Sequence, residues 1–177
     1  MPCWLPVFFI LANTVSGKPR NLWRSRVLRC AWNNAFMSLE MLAPMGSDLY
    51  HLGCHLRCTV FMGEQGVSEA EEFDGKDGDA THMVSLLHGN VVGVLRTLWL
   101  PQHAKIGRFA VQRELRGQGI GRQLFQSCPN QIKSRSVDRI MLEAQVDRIH
   151  FYQHFGFQAY GENYLDAGML HRAMKNY

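Results

Sequence analysis

"VQRELRGQGIGRQLFQ", residues 111–126, sets glycines on alternate positions, Gly117, Gly119 and Gly121, among Arg113, Arg116 and Arg122. A glycine inside a helix or strand costs roughly 0.5–1 kcal/mol relative to alanine, so this alternation builds neither element. An apolar run from Ile106 to Val111 precedes it, and a helix-like Leu124-Phe125 follows. A strand, a glycine turn and a helix start, in that order, present several backbone N–H groups to an anion. The helix dipole favours negative charge there, and missing Cβ atoms let phosphate oxygens come close. Two widespread phosphate loops are excluded. A P-loop needs Lys-Ser or Lys-Thr after its last glycine, and this chain has Arg122-Gln123. A dinucleotide fingerprint needs G-x-G-x-x-G, and this chain has G-x-G-x-G.

The 177 residues suffice for one domain with a full core, and 46% apolar with 19% charged residues is the composition of a soluble globular protein. The formal charge of +4 is unevenly placed. Residues 1–36 carry Lys18, Arg20, Arg24, Arg26 and Arg29 and no acid; removing those five from 19 leaves 14 Lys and Arg against 15 Asp and Glu. A near-neutral body gives no support to a nucleic-acid partner. Cys3, Cys30, Cys54, Cys58 and Cys128 are odd in number and lack framework spacing, which points to a reduced, cytoplasmic setting. "WLPVFFILA" is too short to span a bilayer, which takes about 20 residues, and its positive charge follows the apolar run where a signal peptide would have it before. No membrane partner is expected. An Arg-rich, acid-free start also suits a mitochondrial transit peptide. The reading preferred here places residues 1–36 outside the fold and the domain at 37–177, with "MSLEMLAP" as an opening strand.

Along that domain, Ser47 and Asp48 are N-cap candidates for a helix through residues 47–66, in which Leu49, Leu52, Leu56 and Val60 repeat at helical spacing. "SEAEEFDGKDGDA" reads as an acidic loop. "THMVSLLH" and "VVGVLRTLWL" flank Gly89-Asn90, a two-residue hairpin signal. "AKIGRFAVQ" is a strand, "GRQLFQSC" a helix, "RIMLEAQV" a buried strand, and "DRIHFYQHF" a helix capped by Gly156. "FQAYGENYLDAGMLHRAMK" closes as two strands around a turn. The expected class is mixed α/β, with hairpins around a βαβ unit.

The spacing from Val111 through Arg116 to Gly119 and Gly121 resembles the acyl-CoA signature of the GNAT N-acetyltransferases, V-x-x-x-x-[Q/R]-x-x-G-x-[G/A]. Three further stretches resemble that family's ElaA-type branch: "RCTVFMGEQGV" with "EEFDGKD", "LEAQVDRIHFYQHFGF" and "ENYLDAGMLHRAM". The likeness covers roughly residues 38–175, and agreement of separate elements carries more weight than one short motif. It implies a mostly antiparallel sheet of six to seven strands flanked by about four helices. It implies acetyl-CoA as acyl donor, a small-molecule or peptide amine as acceptor, direct attack, and a monomer or homodimer. Backbone amides of Gly117, Gln118, Gly119, Ile120, Gly121 and Arg122 would hold the pyrophosphate, with Arg116 and its neighbouring arginines answering the phosphate charge. The edge of Phe109-Ala110-Val111 would pair with the pantetheine.

Direct transfer needs a neutral amine, donors for the thioester oxygen and a proton for the departing thiolate. The resemblance places Tyr152 where the family's thiol-protonating tyrosine sits; by pattern alone it is equally a core aromatic between Phe151 and Phe155. Glu143 and His171 are the candidate bases, and Glu64, Asp74 and His82 fall on the acceptor side; a water chain is the alternative to any single base. His51, Cys54, His55 and Cys58 share one helical face, but one helix does not wrap a tetrahedral metal, so no metal is expected. Two other readings remain open: an acyl-homoserine-lactone-synthase-like acyltransferase, and a CoA-binding regulatory module without turnover.

Overall fold

A computed structural model describes residues 37–177; the N-terminal reading of residues 1–36 lies outside the described residues. The elements follow in the order β1 (Leu39–Leu42), α1 (Asp48–Arg57), α2 (Glu69–Glu72), β2 (Ala80–Leu87), β3 (Asn90–Trp99), β4 (Ala104–Val111), α3 (Ile120–Lys133), β5 (Ile140–Gln145), α4 (Ile149–Gln153), β6 (Gln158–Asp166) and β7 (Met169–Lys175). The seven strands form one sheet in the order β1-β2-β3-β4-β5-β7-β6, antiparallel except for β4 beside β5. Seven strands with four α-helices is the expected α/β class.

Helix α1 begins where Ser47 accepts from the Tyr50 N–H, then winds into a wider π-helical stretch, Cys58–Glu64. It lies close on the sheet because Gly53 has no side chain; a Cβ there would meet Val84 and Val94 at 3.4 and 3.5 Å. Helix α3 covers the other face. Its Leu124, Phe125, Cys128 and Ile132 are buried with Leu95, Ile106, Leu142, Ala144 and Met174 in the main core. Each such Leu, Ile or Phe is worth about 1.5–3 kcal/mol relative to exposure.

Three local readings are corrected. The helix read as "GRQLFQSC" runs on through Pro129 to Lys133. An interior proline costs about 3 kcal/mol, and burial of Ile132 one turn later works against that cost. The β2–β3 turn is His88-Gly89 rather than Gly89-Asn90: Leu87 pairs with Asn90, and both intervening residues have positive φ, 51° and 81°, as a tight hairpin of this twist requires. The acidic segment is not all loop. Ser68 and Glu71 form a reciprocal capping box that starts α2, and Glu72 and Asp77 are buried.

Strands β4 and β5 pair in parallel only at Ala104–Ile140, Lys105–Met141 and Ile106–Leu142, and then part. The cause is visible on the far side of β4. Val94 opposes Ala110 and Arg96 opposes Gly107, so Leu95 faces two residues, and Arg108 adopts φ 48°. Such a bulge bends its strand, here away from β5. Beyond Ile106 the two strands form a fork, and among the described residues the facing edge of β4 has no strand partner.

Candidate active site

The fork opens a cleft of about 660 Å³ that runs from the glycine turn to the loop between β6 and β7. At one end, the first intrahelical bond of α3 is Gln123 N–H to Gly119 C=O, so the N–H groups of Ile120, Gly121 and Arg122 have no partner within the helix. Gly117 and Gly119 hold φ of 79° and 90°, and a Cβ on either would meet nothing within 4 Å. Their use is backbone shape and open space. Gly121 serves packing: a Cβ would meet Phe109 and Val111 at 3.3 and 3.4 Å. The alternating glycines of the opening stretch therefore answer two needs, a left-handed turn and a tight helix-to-strand contact.

Of the residues expected to meet a cofactor, Phe109, Ala110, Val111, Arg116, Gly117, Gly119, Gly121 and Arg122 line the cleft. Ile120 is buried beside Leu87 and Val92, leaving only its N–H to offer. The Gln118 side-chain amide donates to Glu114 C=O. Arg116 makes three contacts within the chain. Its Nε donates to Val111 C=O at 2.9 Å, and its two terminal nitrogens meet both oxygens of Glu64 at 2.8 and 3.0 Å. This pair holds the turn against the end of the π-helical stretch, and Arg116 still lines the cleft. The same pairing occupies Glu64, which does not line the cleft.

Tyr152 lies across the fork. Its ring packs against Phe125 and Phe151 with centroids 5.3 and 5.0 Å apart, both edge-on, while the residue also lines the cleft. The ring is therefore a core aromatic that also reaches the cleft wall. Burial pushes the phenol well above the usual tyrosine value, so it stays protonated through neutral pH.

At the other end stand Glu143, His171, Asp74 and Asp166. His171 places Nδ1 3.0 Å from Met169 C=O. A carbonyl only accepts, so in the neutral ring Nδ1 carries the hydrogen and Nε2 keeps the lone pair. Glu143 is 2.7 Å from the Lys105 ammonium. Asp74 is not a solvated loop carboxylate: both its oxygens meet Arg96, and that contact holds it well below the usual carboxylate range. His82 is buried outside the cleft lining, with Nε2 3.0 Å from Asp77 C=O, and burial lowers its basicity.

Behind this end lies a set of charges that residue patterning did not assign. Arg57 meets Glu72 and Asp77, Arg96 meets Asp74 and Asp77, and Arg108 meets Glu72. Three cations and three anions balance. Arg108 also donates from Nε to Glu72 C=O and from a terminal nitrogen to Glu71 C=O, which ties the bulge of β4 to α2. A left-handed non-glycine residue costs of order 1–3 kcal/mol, and these anchors hold it in place. Arg57 in "RCTVFMGEQGV" and Glu72, Asp74 and Asp77 in "EEFDGKD" were the available signal for this set.

Comparison with known proteins adds the lineage. Residues 56–177 match the family described as "Acetyltransferase (GNAT) domain". The chain belongs to the GNAT acetyltransferase family. It is 34% identical over 134 residues to ElaA of Escherichia coli strain K12, covering 72% of this chain and 86% of that one. The crystal structure of Escherichia coli ElaA superposes with a TM-score of 0.72 at 29% identity, covering 80% of this chain and all of that one. An acyl-CoA N-acyltransferase from Pseudomonas aeruginosa superposes with a TM-score of 0.70 at 28% identity over the same shares. This GNAT enzyme is an acyltransferase of the ElaA-type branch. Among the described residues no group of three or more His, Cys, Asp or Glu is placed to hold a metal ion, and no helix is long and apolar enough to cross a membrane.

Proposed function

We propose that this GNAT protein transfers an acetyl group from acetyl-CoA to a primary amine by direct attack. The observation that carries the reading is continuity. One fork joins unpartnered N–H groups at the start of α3, the open edge of Phe109–Val111 and Tyr152. The open space at Gly117 and Gly119 fits a pyrophosphate. When bound, the donor supplies an activated thioester. The amides of residues 117–122 bind its phosphates, and the β4 edge orients its pantetheine. Tyr152 holds the proton destined for the thiolate sulfur. Glu143 or His171 Nε2, both in the acceptor end, takes the proton from the amine.

The deciding experiment is release of free CoA thiol with a panel of amino acids, polyamines and peptide N-termini. Turnover with a homoserine-lactone precursor alone would favour the synthase-like reading. Binding without any thiol release would favour the regulatory module. We further infer a cytoplasmic enzyme whose first 36 residues are dispensable. A chain starting at Met37 is expected to melt within a degree or two of the full protein; a large drop would show that the segment packs on the domain.

Acetyl-CoA should stabilise the protein by about 2.7 kcal/mol at roughly a hundredfold excess over its Kd. Gly119→Val should abolish that increment, measured against the variant's own melting temperature, because φ 90° excludes valine and its side chain fills the phosphate approach. A preserved increment would put the cofactor elsewhere.

A further inference from the structure

One primary amine of the chain, Lys105, stands in the wall of the cleft itself. Lys105 and Glu143 lie on the two strands of the fork, beside the last paired rungs, Lys105–Met141 and Ile106–Leu142. Lys105 Nζ and Glu143 Oε2 are 2.7 Å apart, and about 29% and 34% of the two side chains remain exposed. Both line the same cleft as Tyr152 and the glycine turn. The next residue on that face of β4 is Gly107, where even a Cβ would meet nothing within 4 Å. The remaining described lysines are placed differently. Lys133 sits in the last turn of α3, Lys175 lies over the rings of Tyr160 and Tyr177, and Lys76 borders the cleft without a carboxylate partner for its ammonium.

We propose that Lys105 is an internal acceptor: the enzyme acetylates its own Lys105, with Glu143 as the proton acceptor. This rests on the reading of acetyl-CoA as donor. Glu143 takes one proton from the Lys105 ammonium, and the neutral Nζ attacks the thioester carbonyl carbon. A C–N bond forms and the C–S bond breaks. The thiolate leaves with a proton from Tyr152, which regains one from solvent as the nitrogen loses its second. The products are acetyl-lysine, CoA thiol and one released proton. The amide carries no charge, so Glu143 loses its ion pair, and the added acetyl group stays in the acceptor end. Self-acetylation and turnover of an external amine therefore compete for one place.

The test incubates the full chain with isotopically labelled acetyl-CoA and maps each lysine by peptide mass spectrometry over time. Lys105 should be labelled at least about tenfold faster than Lys133 and Lys175, because a held amine reacts as an intramolecular group. The rate should saturate with acetyl-CoA and be independent of protein concentration. Glu143→Gln should slow labelling of Lys105 without affecting Lys133. Pre-acetylated enzyme should turn over external amines more slowly, and Lys105→Arg should escape that inhibition. Labelling of Lys105 no faster than Lys133, preferential labelling of Lys76, or a rate proportional to protein concentration would each overturn the proposal. A clear acetyl-CoA stabilisation with no label on Lys105 sinks the internal-acceptor reading alone. Absence of both stabilisation and thiol release removes the donor reading, and this inference with it.

Discussion

Arg57→Ala is expected to lower the unfolding free energy by about 3 kcal/mol, the lower end of the 3–5 kcal/mol range for breaking a buried ion pair. Arg57 and Glu72 are each 1% exposed. The guanidinium donates to Glu72 Oε1 at 2.5 Å, to Asp77 Oδ2 at 2.7 Å and to Glu72 C=O at 3.1 Å, and lies 5.1 Å from the Phe73 ring centroid. Its removal takes one of two arginine partners from each of two buried carboxylates. The loss stays at the lower end because Arg108 still meets Glu72 and Arg96 still meets Asp77. Urea unfolding should show a lowered midpoint with an unchanged slope. A loss under about 1 kcal/mol would mean that water reaches the cluster.

The same cluster sets an acid limit. Hydrogen bonds from Arg96 hold Asp74 far below its usual value. Burial alone would raise Asp77, but hydrogen bonds from Arg96 and Arg57 outweigh it and the group ends low. A carboxyl depressed on folding contributes stability above its unfolded value near 3.9, and that contribution is lost as pH falls through the lower folded value. Arg57→Ala removes one of the groups that depress Asp77, so the variant's stability should fall less steeply with acid than the wild type's.

Tyr152→Phe is expected to reduce kcat about 10²-fold while leaving acetyl-CoA affinity nearly unchanged. The substitution deletes one hydroxyl and keeps the ring that packs on Phe125 and Phe151. Among the described residues that hydroxyl makes no hydrogen bond that folding would miss, so the melting temperature should hold. General acid catalysis spans about 10²–10⁴-fold, and a CoA thiolate leaves readily, which sets the low end. Burial keeps the phenol protonated, so the rate should show no basic limb from Tyr152 below about pH 10. Full turnover in a folded variant would falsify the role assigned to Tyr152.

Residues acting through their own backbone were legible in the chain. Gly117 and Gly119 announce a left-handed turn because only glycine takes those φ values without strain, and the apolar run before them and the helical pattern after them fix their surroundings. Helical spacing likewise gave the helix from residue 47, apolar runs between turn signals marked the strands, and Tyr152, Glu143 and His171, named from the family resemblance, all line one cleft. What the chain alone did not decide is which charge meets which. Nothing near Arg116 in the chain announces Glu64, 52 residues away, as its partner. The resemblance puts Asp74 on the acceptor side with no partner named, and Arg96 reaches it from β3. Lys105 carried no local sign at all, and its meeting with Glu143 depends on two strands pairing for three rungs before a bulge at Arg108 drives them apart. A glycine's left-handed backbone is set by the residue itself, so sequence determines it. Electrostatic pairing is set by distances across the sheet, and only the tertiary structure fixes those.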